Sequence, residues 1–137
     1  MAISPYWQNL GHSQLLYFTT GGLGATAGQA FQGGQSTQAT GSSASTASHT
    51  FQVTRNGVIK NLTLAAPSAV AGDSTAAISV NGVASALSAT ILTGQNIGQN
   101  LTTEIAVSRG DTIVLVVAGG SAAFSVRNTG TVEFLYR

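Results

Sequence analysis

The hydrophobic pattern is densest between Ile105 and Val117. Ile105 and Val107 alternate with Ala106 and Ser108, the period of a half-buried strand. Arg109-Gly110-Asp111 supplies a turn signal, and Ile113, Val114, Leu115, Val116 and Val117 then follow without a break. A continuous β-branched and aliphatic run of this kind reads as a strand buried on both faces. The two strands are predicted to pair across the turn as the centre of the fold.

Similar alternations recur along the chain from Ala47 onward. Phe51 and Val53 alternate with Thr50, Gln52 and Thr54, and Arg55-Asn56-Gly57 then reads as a hairpin turn, because Asn-Gly favours the backbone twist of two-residue hairpins. Val58 to Leu64 follows with Leu62 and Leu64 on one face. Strict alternation would put Lys60 on that same face, so a bulge or a sheet edge is expected there. Residues 65–73 read as loop. Ala76, Ile78 and Val80 form the next strand, Asn81-Gly82 a second hairpin turn, and Leu87, Ala89 and Ile91 the returning face. Gly94 to Asn100 is polar and reads as loop. Phe124 and Val126 alternate with Ser125 and Arg127, Asn128-Thr129-Gly130 turns the chain, and Val132, Phe134 and Tyr136 line the last strand.

About eight short strands with regular turn signals and no helical stripe predict an all-β fold, an antiparallel β-sandwich of the eight-stranded jelly-roll kind. Residues 47–137 are assigned to this sandwich. Residues 1–46 are assigned to an extended N-terminal arm and a Gly/Ser/Thr-rich segment that makes assembly contacts. Pro5 forbids a helix through the first residues. Leu15, Leu16, Tyr17 and Phe18 form a short apolar run that suits a strand. With Tyr6 and Trp7, these four residues are the candidate assembly interface, since aromatic residues are enriched at interface hot spots.

Composition changes this picture in one respect. Charged residues make up 7% of the 137-residue chain, against about 25% in an average soluble domain. Isolated proteins usually keep a charged surface for solubility. A surface of Ser, Thr, Gln, Asn and Gly suits a protein whose faces are covered by neighbours. Net charge is +1, and the five basic residues (Arg55, Lys60, Arg109, Arg127, Arg137) are scattered. Without a basic stripe, nucleic acid is not an expected partner. No apolar run reaches the ~20 residues of a membrane helix, so no membrane partner is expected. The first residues lack the basic and apolar regions of a secretory signal, so the chain is expected to stay where it is made until something else exports it. There is no cysteine.

Candidate chemistry is sparse. Gly21 to Gly28 lacks the flanking strand, helix and acidic residue that a dinucleotide loop requires. Arg109-Gly110-Asp111 matches the cell-adhesion tripeptide but is also ordinary turn chemistry. His12 and His49 have no ligand partners at metal spacing. The four carboxylates are Asp73, Glu104, Asp111 and Glu133, too few and too scattered to suggest the paired acids of a glycosidase. No Gly-x-Ser-x-Gly elbow occurs. Asn61-Leu62-Thr63 and Asn100-Leu101-Thr102 match the glycosylation sequon and read as chance matches. No catalytic residue, cofactor or metal site is expected.

From Phe51 to Arg137 the chain resembles the trimeric jelly-roll heads of phage capsid decoration and fibre proteins and of bacterial collagen-like spore-surface proteins. The resemblance is carried by Gly57-Val-Ile-Lys-Asn-Leu-Thr-Leu64, Ile78-Ser-Val-Asn-Gly82, Val107-Ser-Arg-Gly-Asp-Thr-Ile-Val-Leu115 and Val132-Glu-Phe-Leu-Tyr136. No collagen-type Gly-X-Y repeat precedes the head, and this departs from the spore-stalk pattern. The resemblance implies a homotrimer without enzymatic activity. The resulting expectation is a structural virion protein on the capsid exterior, a cement or fibre/spike component docked on the major capsid protein or another virion protein. A head that binds a host surface glycan or receptor is the alternative; the polar loop Gln95–Gln99 is its only candidate site.

Overall fold

The computed structural model describes residues 13–20, 24–33, 50–125 and 127–136. Ten strands occur among them: β1 (Ser13–Thr19), β2 (Gln32–Gly33), β3 (Phe51–Gln52), β4 (Gly57–Ala65), β5 (Ser74–Val80), β6 (Val83–Ile91), β7 (Ile97–Asn100), β8 (Ile105–Val107), β9 (Thr112–Val117) and β10 (Thr129–Tyr136). They form two antiparallel sheets. The larger has the order β2-β1-β10-β4-β7, with β8 also on β4; the smaller has the order β3-β9-β5-β6. The expected all-β sandwich is therefore present. Successive segments alternate between the sheets, which is the winding of a jelly roll.

The two inward faces make one core. Leu16, Phe18, Ile59, Leu62, Leu64, Val132 and Phe134 come from the larger sheet, and Ala76, Ile78, Leu87, Ala89, Ile91, Ile113, Leu115 and Val117 from the smaller. An edge-to-face ring pair ties the sheets together, Phe18 of β1 on Phe51 of β3 at 5.2 Å between centroids, and Phe31 meets Phe124 edge-to-face at 5.1 Å. Such pairs contribute about 0.5–1.5 kcal/mol beyond their burial. At the far side β7 closes onto β6. Gly98 lies so close to the Thr90 carbonyl that a Cβ there would overlap it.

Lys60 escapes the core by the expected device. Thr131 on β10 faces Thr63, but Glu133 faces Lys60, so β4 carries one residue more than its partner. Asn61 absorbs the extra length with a left-handed φ of 56°. The inward set consequently steps from Ile59 to Leu62, skipping Lys60. Along the other side of β4, β8 pairs with Gly57–Ile59 and β7 with Leu62–Ala65. These two strands are one edge strand, interrupted at 101–104 opposite the bulge.

Four local expectations are corrected. Arg109-Gly110-Asp111 does not join paired strands: β8 lies in the larger sheet and β9 in the smaller. Arg55-Asn56-Gly57 likewise crosses between sheets, because β3 pairs with β9 whereas β4 pairs with β10, β7 and β8. Of the two Asn-Gly turns only Asn81-Gly82 closes a hairpin, with φ of 52° and 81° as a type I′ turn requires. The stretch read as a polar loop, 94–100, contains β7. The stretch read as a strand, 124–127, makes only an isolated bridge from Phe124 to Ala25, and Arg127 breaks extension with a φ of 63°.

The apolar run of residues 15–18 forms a strand, but one inside the larger sheet: β1 pairs with β10 from Ser13↔Leu135 to Thr19↔Thr129. Residues 24–33 pack as well. Ala25, Ala30 and Phe31 are buried, and the Phe31 amide donates to the Leu115 carbonyl at 2.8 Å. The sandwich thus draws on residues expected in the N-terminal arm.

Candidate assembly interface

Strand alternation decides which residues can meet a partner. In β1, Leu16 opposes Val132 and Phe18 opposes Gly130, facing the core, so Leu15 and Tyr17 must face outward. Leu16 and Phe18 are 5% and 0% exposed, whereas Leu15 and Tyr17 are 66% and 44% exposed. Of the six residues expected at the interface, Leu15 and Tyr17 therefore present surface. Leu16 and Phe18 are core residues of the same chain and are removed from the set. Tyr6 and Trp7 lie outside the described residues, as do His12 and His49.

The outer face of the larger sheet continues the Leu15–Tyr17 surface. Leu135 sits between Ser13 and Val58, and Val58 between Leu135 and Ala106. Ala65 sits between Thr129 and Ile97. Ile97 and nearby Leu101 are 54% and 57% exposed. The rest is mostly Thr, Ser and Gln. In the middle stand Glu133 and Lys60, opposite one another across β10 and β4. Their charges are already engaged: Lys60 Nζ lies 3.6 Å from Glu104 Oε1, and Asn61 Nδ2 donates to Glu133 Oε2 at 2.7 Å. The face is broad, nearly neutral and without helical cover among the described residues. The signal that reaches it in sequence is Leu15 and Tyr17. Ile97 and Leu101 were hidden inside a stretch rich in Gln and Asn.

The remaining polar groups serve local structure. Both carboxylate oxygens of Asp111 accept hydrogen bonds, Oδ2 from the Ser108 amide at 2.8 Å and Oδ1 from Asn81 Nδ2 at 2.9 Å. These bonds, the backbone one first, hold its pKa below the usual 3.8. The Arg109 amide donates to Asn56 Oδ1 at 2.9 Å. The tripeptide's carboxylate is thus engaged by its own turn and by the Asn81-Gly82 turn. Asp73 Oδ1 accepts from the Thr93 amide and hydroxyl, both at 2.8 Å, and its pKa is lowered for the same reason. Asp73 and Asp111 adjoin opposite ends of the β5–β9 pair, which keeps them apart. The sequon asparagines are also engaged: Asn61 holds Glu133, and Asn100 Nδ2 donates to the Ser88 carbonyl at 2.9 Å. No cluster of three His, Cys, Asp or Glu suited to a metal occurs among the described residues.

Among solved structures, the chain resembles the globular domain of zebrafish complement 1qA protein. The match has a TM-score of 0.56 and 10% sequence identity, and it covers 92% of this chain and 97% of that one. The fold is a C1q-like jelly roll. No protein-family model and no curated protein sequence matches the chain.

Proposed function

We propose that this chain is a non-enzymatic structural head that assembles as a homotrimer through the outer face of its larger sheet. Its setting is the exterior of a virion, as a capsid decoration (cement) or fibre/spike component. The N-terminal arm docks it to neighbouring subunits and to the major capsid protein or another virion protein. The observation that carries this reading is the face bearing Leu15, Tyr17, Ile97 and Leu101, exposed among the described residues, on a chain with 7% charged residues. Exposed apolar patches of this kind mark association sites.

The mechanism is mechanical. Each subunit covers its neighbour's apolar face; Lys60 and Glu104 enter the interface as an ion pair, and Glu133 enters hydrogen-bonded by Asn61 and facing Lys60 across the strand pair. A stable contact of this type covers about 1,200–2,000 Å². Each of the four carboxylates has a local partner, and this reading gives none of them a catalytic role. Immunogold labelling of intact particles from the source tests the virion role. Regular labelling of the exterior is expected; particles that bind no antibody contradict it.

A carbohydrate- or receptor-binding head is the second reading. Exposed Gln95, Asn96 and Gln99 at one rim of the sandwich favour it, and binding on a glycan array tests it.

A further inference from the structure

We propose that the cleft between residues 52–54 and the Arg109-Gly110 turn binds an acidic sugar through its carboxylate. The proposal rests on the second reading above, a carbohydrate-binding head, and places its site at the rim opposite Gln95 and Asn96, since Gly57↔Val107 and Ala65↔Ile97 mark the two ends of β4. Two loops meet at this rim. Residues 53–56 lead from β3 into β4, and residues 108–111 lead from β8 into β9. Three backbone amides lock the loops together. Val53 donates to the Asp111 carbonyl and Gly110 to the Val53 carbonyl, both at 2.8 Å, and Arg109 donates to Asn56 Oδ1 at 2.9 Å. The walls of the cleft are therefore largely pre-formed, as small-molecule sites usually are. Its volume is about 250 Å³, and Gln52, Val53, Thr54, Arg109 and Gly110 line it.

No acidic side chain of the chain answers the positive charge of this rim. Arg55 and Arg109 are both exposed. Arg55 lies over the Tyr136 ring, 5.1 Å from its centroid, a contact that leaves its charge in place. The sequence has four acidic residues, and each is engaged. Glu104 pairs with Lys60, and Glu133 accepts from Asn61 on the outer face of the larger sheet. Asp73 lies at the far rim and accepts from Thr93. Asp111 is the acid at this rim, and its two oxygens accept from the Ser108 amide and from Asn81 Nδ2. A guanidinium offers paired N–H donors that match a carboxylate, and Arg109 brings one to the cleft.

The rest of the lining selects a sugar. Gln52 and Thr54 are exposed and carry a carboxamide and a hydroxyl, groups that both donate and accept and so suit ring hydroxyls. An apolar cavity of ~150 Å³ accepts benzene, so an open cleft of about 250 Å³ has room for one sugar ring. Gly110 keeps the entrance clear, since nothing lies within 4 Å of the place a Cβ would occupy. The sugar carboxylate meets the Arg109 guanidinium, the ring hydroxyls meet Gln52 and Thr54, and Arg55 adds a second positive charge to the rim.

The test presents the full-length protein with an array of neutral saccharides and of saccharides bearing uronic or sialic acid, with poly-glutamate as a carboxylate carrier that lacks hydroxyls. Retention confined to the acidic saccharides is expected, and added salt should weaken it because exposed charges are screened. Methyl esterification of a retained saccharide removes its charge and should abolish retention. Arg109→Gln keeps the backbone amide that donates to Asn56, so the fold should stay intact by circular dichroism. Calorimetric titration with the retained saccharide should then show binding weakened about 10- to 100-fold. Arg55→Gln should weaken it less. Arg127→Gln changes an exposed residue at the far rim, just before β10, and should leave binding unchanged. Retention of neutral saccharides only, binding that survives esterification, full affinity in Arg109→Gln, or poly-glutamate bound as tightly as the saccharides overturns this site and leaves the carbohydrate reading standing. Retention of no saccharide overturns that reading, and the site with it.

Discussion

Leu15→Glu is the perturbation that reaches furthest into this account. Leu15 is 66% exposed in the single chain. Full burial of a leucine side chain contributes about 1.5–3 kcal/mol, so covering the exposed part stabilises each contact by about 1–2 kcal/mol. A cyclic trimer has three equivalent contacts, which makes the loss about 3–6 kcal/mol per trimer. Since 1.4 kcal/mol is tenfold, the trimer dissociation constant should rise by about two to four orders of magnitude. The new carboxylate also lies directly opposite Glu133 on β10 of the same chain, a like-charge pair that costs more once a neighbour covers it than it does in water. The isolated fold should change little, because the substitution is on the surface. Sedimentation equilibrium over a range of concentrations reads the effect. Val83→Glu is the control: Val83 is 70% exposed but belongs to β6 of the other sheet. Equal dissociation of both variants, or of neither, refutes the assignment of this face.

Acid should loosen the sandwich through its loops. The Asp73 and Asp111 carboxyls are held below the usual value of 3.8 by hydrogen bonds donated to their charged forms. Their stabilisation is present above the unfolded pKa and is lost as pH falls through the lower folded values. The melting temperature should therefore drop below about pH 4, and more shallowly in Asp73→Asn/Asp111→Asn. Gly98→Ala forces a Cβ against the Thr90 carbonyl and should cost about 1–3 kcal/mol in urea denaturation. Asn81→Ala removes the side-chain bonds to Asp111 and Thr112 and leaves a β-carbon residue at φ 52°. It should cost about 2–3 kcal/mol in the same assay.

Where sequence succeeded, a local cause acted alone. The Asn81-Gly82 hairpin needs only two adjacent residues that tolerate left-handed backbone, and the Lys60 bulge follows from one charged residue breaking a strict alternation. Where it failed, the cause was non-local. Asn56-Gly57 carries the same dipeptide as Asn81-Gly82, but its flanking strands find partners in different sheets, and nothing within the turn encodes that choice. The β7 strand was hidden because its buried position is Gly98, which has no side chain to mark an inward face. The outward-facing half of β1 could be deduced once β1 was recognised as a strand of the sandwich. Ile97 and Leu101 could not, since their exposure depends on an edge strand interrupted opposite a bulge.

The central claim is that copies of this chain cover one another's larger sheet, and the native mass of the purified protein tests it most directly. Native mass spectrometry at micromolar concentration should give a single species of three 13.8 kDa chains. A folded protein that remains at 13.8 kDa as its concentration is raised contradicts the account.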